Sequence, residues 1–261
     1  MKKLTISIVI YENYTDVKNA VDSIEKVTPP ELEKEIYLID NSEHDDSGEG
    51  ERKIKELIAA YPDLLYRKSG GNIGFGAGHN LCLKDYDSDY HAIVNPDILL
   101  KEDAFSPIIS FLDENPNVGM LIPRILSEEG ELQKVYRRDV TLLDMFIRMF
   151  CGGHFKKRQD YHTLQDQDYN AVFDLPFGQG SFLVIRTELF KEIGGFDDRF
   201  FLYMEDADLC RRVRQKTRFV YFPGASVIHK WEKGSHKNKK LFRIHVESMI
   251  KYFRKWGIFQ G

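Results

Sequence analysis

An uninterrupted apolar run, LTISIVI, lies near the amino terminus, and its length and β-branched content predict a buried strand. The period then changes. In TDVKNAVDSIEKV, Val17, Ala20, Val21 and Ile24 recur at helical spacing, so a helix follows the strand. EIYLID (35–40) reads as a second strand that ends in Asp40 and Asn41, and ERKIKELIAAYP (51–62) as a second helix closed by Pro62. LLYRKS precedes a glycine-rich turn, GHNLCLKDY reads as another helix, and YHAIVNPD is an apolar strand that breaks at Pro96. Such alternation predicts an α/β, Rossmann-like fold, a mostly parallel sheet with helices on both faces, whose ligands lie beyond the carboxyl ends of the strands. The loops at 11–15, 40–47, 70–80 and 95–99 are therefore expected to converge.

Beyond residue 100 the pattern is mixed. A helix is expected near 102–114, then a strand in VGMLIPRIL and an apolar helix in TLLDMFIRMF (141–150). The stretch at 151–170 is polar and weakly patterned, which predicts a loop or a flexible lid. FLVIR reads as a strand, TELFKEIGGF as a helix stopped by Gly194 and Gly195, and RFVYFPGASVIHK as the last strands. Leu209 and Val213 suit a helix that begins near Asp206. Near the carboxyl terminus Phe242, Val246, Met249, Phe253 and Trp256 form an apolar stripe flanked by lysines and arginines. No repeat or low-complexity linker divides residues 1–261, so one domain is expected.

Composition narrows the functional classes. With 42% hydrophobic and 30% charged residues among 261, the chain is of ordinary globular type. Lys and Arg number 37 against 41 Asp and Glu, a net charge of -4 that argues against nucleic acid as a partner. Cys82, Cys151 and Cys210 are odd in number and far apart, which suits neither a disulfide framework nor a Cys-x-x-Cys metal site and points to a reducing, cytoplasmic setting. The apolar run after Lys2 and Lys3 ends at Ile10 without a small-residue cleavage site, as a first strand would and a signal peptide would not. No run reaches the roughly 18 apolar residues that span a bilayer.

Three segments could carry chemistry. SGGNIGFGAGHN (69–80) is the densest glycine cluster, yet position 79 is His79, so G-x-G-x-x-G fails, and no G-K-[ST] follows. Asn95 and Asp97 stand at the carboxyl end of an apolar strand, as oxygen ligands of Mg2+ or Mn2+ shared with substrate phosphates would; an Asn-Pro-Asp turn is the plainer alternative. In FFLYMEDADLCRRV, Glu205, Asp206 and Asp208 open a helix, where the macrodipole favours carboxylates whether or not they do chemistry. His229, ending the strand ASVIH, is either a nitrogen ligand or a structural hydrogen-bonder.

In their order, SIVIYENY, LIDNSEHDDS, GGNIGFGAGHN, NPDILL, GQGSFLVIR, GGFDDRFFLYMEDADLCRRV and VIHKWEKGS resemble family 2 of the nucleotide-sugar glycosyltransferases, GT-A fold, and its bacterial rhamnosyltransferase-like branch. The resemblance covers most of the chain. It implies a nucleotide-binding half (1–100), an acceptor and catalytic half (101–230) with a smaller mixed sheet, and a basic amphipathic helical extension (231–261). By the same resemblance Asp40, Asn72, Gly74, Phe75, Gly76, Asn80 and Asn95 bind the nucleotide sugar, Asp97 and His229 hold a divalent cation, Mg2+ or Mn2+, and Asp206 is the general base with Glu205 beside it. Where many members carry Asp-x-Asp, this chain has Asn95-Pro96-Asp97, one carboxylate fewer.

The implied activity is inverting transfer of a hexose, rhamnose from dTDP-rhamnose, to a hydroxyl of a cell-surface polysaccharide or a lipid-linked oligosaccharide. A sugar-phosphate nucleotidyltransferase, a metal-dependent hydrolase and a non-catalytic nucleotide- or glycan-binding module are the alternatives. The stripe within 237–256 would serve peripheral contact with the inner face of the cell membrane, packing on its own domain, or a homodimer.

Overall fold

In the computed structural model, residues 2–43, 48–151, 154–230 and 239–258 are described, Phe150 by its backbone alone. The elements in chain order are β1 (Lys3–Ile10), α1 (Tyr14–Val27), β2 (Glu33–Asp40), α2 (Glu49–Ala60), β3 (Leu64–Lys68), α3 (Phe75–Asn80), β4 (Tyr90–Val94), β5 (Ile98–Leu99), α4 (Phe105–Glu114), β6 (Val118–Leu126), β7 (Tyr136–Arg137), α5 (Leu142–Phe150), α6 (Lys156–His162), β8 (Phe173–Asp174), β9 (Phe177–Gly178), β10 (Phe182–Arg186), α7 (Thr187–Glu192), α8 (Glu205–Arg214), β11 (Arg218–His229) and α9 (Lys239–Trp256).

β1 is the apolar run of the amino terminus, and all of it but Lys3 is buried. Its buried hydroxyls are satisfied from the side. Ser7 bonds His79 at 2.6 Å and His91 at 2.9 Å, and Thr5 bonds the other nitrogen of His91 at 2.8 Å. Burial drives His79 down to about 3, so this histidine of the glycine cluster is a neutral core residue.

The main sheet runs β3-β2-β1-β4-β10-β6-β11-β5, with β8 on β11. The pairs β1–β2, β2–β3, β1–β4 and β6–β11 are parallel, as the alternating pattern predicts. β10 is inserted antiparallel between β4 and β6. That reversal brings the amino end of β10 to the carboxyl end of β4, where the Asn95 N–H donates to the Ser181 carbonyl at 2.8 Å. On the far side β11 lies antiparallel to β5 with His229 opposite Ile98, which sets His229 against the Asn95-Pro96-Asp97 turn. β7 and β9 form a separate two-stranded antiparallel sheet. It takes the place of the smaller mixed sheet expected on the acceptor side.

Two expectations need correction. The helix expected in GHNLCLKDY forms earlier, over Phe75–Asn80, because its glycines allow close packing: a Cβ on Gly76 would lie 2.8 Å from the Cβ of Phe196. Segment 151–170, expected as a loop or flexible lid, contains α6 and is tied down. Arg158 pairs with Asp144 at 2.7 Å, Arg138 pairs with Asp166 at 2.7 Å, and Leu164 is buried. Residues 152–153 of that segment lie outside the described residues.

The apolar stripe of α9 takes one of the alternatives expected for it, packing on its own domain. Ser248, Tyr252 and Phe253 are buried, the Ser248 hydroxyl donates to the Leu202 carbonyl at 2.8 Å, and only Phe242 at the start of the stripe is largely exposed. Positions 237 and 238 lie outside the described residues. Among the described residues no helix is long and apolar enough to cross a membrane.

Candidate active site

Asn95 and Asp97 sit where β4 ends, and each holds one buried side-chain oxygen with no hydrogen-bond partner. The other Asp97 oxygen is 3.3 Å from Nε2 of His229, which is 2% exposed. Gln133 settles what that nitrogen can do. Its amide nitrogen donates to the carbonyls of His229 at 2.7 Å and Leu126 at 3.4 Å, so its Oε1 must face Nδ1 of His229, 3.1 Å away. Nδ1 therefore carries the proton of the neutral ring, and Nε2 presents a lone pair toward a carboxylate. Two like acceptors at 3.3 Å call for a proton or a cation between them. With two orphaned oxygens beside them, the donor set suits a hard divalent cation that completes its shell with phosphates. Among the described residues no group of three or more His, Cys, Asp or Glu could hold a metal alone, in keeping with the missing carboxylate of Asn95.

Across the reversed strand, Glu205 and Asp206 form the first turn of α8 and line a cavity of about 280 Å3 together with Asn95, Gln179, Gly180, Tyr203 and His245. Asp206 accepts from the Gly180 N–H at 3.2 Å and the Ala207 N–H at 2.8 Å. The helix amino terminus does not act alone on Asp206. Burial pushes the carboxyl up, and the two N–H groups and the Arg137 charge pull it back only in part, so it stays raised above the ordinary aspartate range. Glu205 is pushed much further, first by burial and then by the charge on Asp206, and its Oε2 has no partner. Of the two, Glu205 is therefore the carboxyl more strongly pushed toward its protonated form.

A carboxyl whose folded value is raised holds its proton in the folded state after the unfolded chain has lost it. The associated stability is complete below the ordinary glutamate range and falls as pH rises through the folded value. Glu205→Gln should therefore match wild type in stability near pH 4 and exceed it increasingly above, by up to roughly 1.4 kcal/mol per pH unit until the folded group ionises. Urea unfolding of both proteins from pH 4 to 8 checks this; a difference that does not change with pH would refute the protonated Glu205.

The expected nucleotide residues fall into two groups. Asp40 is 4% exposed, and its carboxylate accepts from Tyr66 at 2.7 Å, Tyr14 at 3.3 Å and the Ser42 N–H at 2.9 Å. Asn72 accepts from the Gly74 N–H at 3.1 Å, and Gly74, at φ 97°, accepts from Asn41 at 2.8 Å. With the Glu12 N–H donating to Ser42 at 2.9 Å, the loops after β1, β2 and β3 do converge, although 44–47 lie outside the described residues. Phe75 faces the cavity of Asp206. Asn80 and Gly76 do not belong with these. Asn80 braces α3 to the 196–198 loop, donating to the Phe196 carbonyl at 2.8 Å and Asp198 at 2.7 Å and accepting from the Phe196 N–H at 2.8 Å, while Gly76 packs on Phe196.

No motif marks Arg137, on β7, or Arg148, on α5, both of which line the same cavity. Arg137 lies over the ring of Phe177 at 5.5 Å. Burial first and then the Arg148 charge lower its guanidinium to about 9, still a cation at neutral pH. Nor does the pattern distinguish Asp208, which turns away from the cavity, is fully buried, and bonds Arg212, Lys255 and Trp256 at 2.7, 2.5 and 2.8 Å.

Comparison with known proteins places this geometry in a family context. The family model described as Glycosyl transferase family 2 matches residues 5–194. Rhamnosyltransferase WbbL of Escherichia coli (strain K12) is 28% identical over 214 residues, 77% of this chain and 78% of its own. N-acetylglucosaminyl-diphospho-decaprenol L-rhamnosyltransferase of Mycobacterium tuberculosis (strain ATCC 25618 / H37Rv) is 26% identical over 198 residues, 70% of this chain and 64% of its own. Among solved structures, the mannosyltransferase PcManGT from Pyrobaculum calidifontis in complex with GDP-Man and Mn2+ superposes with a TM-score of 0.66 at 16% identity, over 97% of this chain and 64% of that one. GalNAc-T7 with UDP, GalNAc and Mn2+ gives 0.67 at 16% identity, over 94% of this chain but 47% of its own. The chain thus spans under two thirds of the mycobacterial relative and of PcManGT, and about half of GalNAc-T7.

Proposed function

The chain belongs to glycosyl transferase family 2, and on that premise we propose that it moves a hexose from a nucleoside diphosphate to an acceptor hydroxyl in one inverting displacement. The observation that carries this reading is Asp206, a carboxylate held by two backbone N–H groups in a cavity that also reaches Asn95. The acceptor oxygen attacks the anomeric carbon, Asp206 takes the hydroxyl proton, and the bond from that carbon to the diphosphate oxygen breaks with its electron pair leaving on the diphosphate. Gly180 and Ala207 hold the carboxylate in place, and burial favours the protonated form of Glu205, which limits competing charge beside it.

A divalent cation, Mn2+ or Mg2+, would be held by Asp97, Asn95 and His229, with Gln133 fixing the tautomer, and would neutralise charge on the leaving diphosphate. The Mn2+ in two solved relatives of the same fold supports that assignment. Asp40, Asn72, Gly74 and Phe75 form the nucleotide side of the site. The donor we infer is dTDP-rhamnose, rhamnose being the sugar in both relatives' names, and the acceptor a sugar linked through diphosphate to a polyprenol, as the mycobacterial relative's name supports. The protein would then work at the inner face of the membrane.

A thermal-shift screen against UDP, dTDP, GDP and CDP, each with Mn2+, Mg2+ or EDTA, tests the reading. A ligand at 100 times its Kd adds about 2.7 kcal/mol to the folded form. The expected result is a shift for dTDP that EDTA reduces; absence of any shift with all four nucleotides would overturn the donor site. Transfer is told from hydrolysis by the products, since free sugar without a glycosylated acceptor would mark a hydrolase.

A further inference from the structure

Arg137, Arg148 and His162 line two cavities at once. One is the cavity of about 280 Å3 that holds Asp206, and the other, of about 740 Å3, is bordered by Gln133, Asp144, His229 and Lys230. The three residues therefore lie between the cavity of the base and the one that His229 borders.

The two arginines have no ionic partner among the described residues. Around them Arg138 pairs with Asp166, Arg158 with Asp144 and Arg214 with Asp139. The chain has more acids than bases, so carboxylates are not scarce. Yet neither the Arg137 nor the Arg148 side chain makes an ion pair or a hydrogen bond with any described residue; Arg137 has the Phe177 ring, and Arg148 stands open to solvent. They are close enough for the charge on Arg148 to disfavour the charge on Arg137, with Asp206 the acid that offsets both. Holding two guanidinium groups together against one carboxylate is unfavourable until an anion joins them.

We propose that Arg137 and Arg148 are a diphosphate-binding pair, each guanidinium fork taking oxygens of one of two linked phosphates. Paired planar forks fit a diphosphate better than a single phosphate or a carboxylate, because each reads its own phosphate in bidentate fashion. The pair would supply positive charge to a diphosphate that a cation, with Asn95 in place of a second aspartate, is less able to anchor. Under the transferase reading, on which the choice of sources rests, two diphosphates come within reach: that of the departing nucleotide and that which links an acceptor sugar to its lipid. α5, which carries Arg148, also exposes Leu143 and Phe146, so the same helix has an apolar face beside the pair.

Isothermal titration calorimetry in EDTA with inorganic diphosphate and with orthophosphate tests the site without any turnover. Wild type should bind diphosphate at least tenfold more tightly than orthophosphate. Arg137→Gln and Arg148→Gln should each lose that preference, and the lysine variants, which keep charge but not the fork, should retain part of it as a check against misfolding. Equal diphosphate affinity in wild type and both glutamine variants overturns the proposal. Two further titrations on the same proteins find the source: dTDP against thymidine, and an N-acetylglucosaminyl diphospho-alkyl probe against the alkyl glycoside without diphosphate. A tenfold loss confined to the diphosphate member of the first pair assigns the donor, and of the second the acceptor; no loss in either pair overturns the site. A protein that binds diphosphate through these arginines but transfers no sugar would refute the proposed function and leave this site standing.

Discussion

Asp206→Asn should lower kcat by roughly 10^2–10^4-fold while leaving dTDP binding and the fold intact, the range expected for loss of a positioned general base. The substitution is nearly isosteric. The new amide would keep a carbonyl oxygen for the N–H of Gly180 or Ala207, now 3.2 and 2.8 Å from the carboxylate, but would lose the charge and the basic oxygen. Glu205 is a poor substitute, because burial and its neighbour favour its protonated form, and relief of that repulsion on substitution still leaves it desolvated. The measurement is single-turnover transfer in parallel with the thermal shift by dTDP. Turnover within tenfold of wild type would remove Asp206 from the reaction, whereas loss of both turnover and shift would mean that the variant damaged the donor site. Glu205→Gln supplies the contrast: a neutral acid replaced by a neutral amide should cost far less than the loss of charge at position 206.

The parallel half of the sheet was legible because strands buried on both faces are written as apolar runs and their helices as a clean 3.6 period, as in Val17, Ala20, Val21 and Ile24. The reversed β10 was not, since an apolar pentapeptide such as FLVIR carries no mark of direction. That strand builds the site by bringing Gly180 and Ser181 to Asn95 and Asp206. Asp97, His229 and Asp206 could be picked out because each ends or begins a strongly patterned element. Arg137 could not, because β7 is two residues long and its role depends on contacts with segments distant in sequence. The helix of the glycine cluster was misplaced for a related reason: intrinsic preference disfavours a helix at Gly76 and Gly78, and packing against Phe196 and Val9 overrides it.

Asp208→Asn should cost about 3–5 kcal/mol, the scale for removing one member of a buried ionic group, and so make a severely destabilised protein out of a one-atom change. Asp208 is fully buried, and it receives Arg212 at 2.7 Å, Lys255 at 2.5 Å and the Trp256 N–H at 2.8 Å. Neutralising it strands two cations whose side chains are 15% and 18% exposed, too little for water to compensate fully. Asp197, 2.7 Å from Lys255, takes up part of that charge, which places the expected loss toward the lower end of the range. Because Lys255 and Trp256 are the last turn of α9, the loss should appear as undocking of that helix, and with it the ring contact of His245 on Tyr203 at 4.6 Å beside the base. Urea unfolding measures the cost, and protection of α9 amides from hydrogen exchange locates it; a change under about 1 kcal/mol with α9 still protected would be incompatible with this role. Two aspartates in the same turn thus divide the work of α8. Asp206 is expected to lose chemistry and keep stability, Asp208 to lose stability first and chemistry through it, and only the direction each side chain takes from the helix, into the cavity or onto α9, separates them.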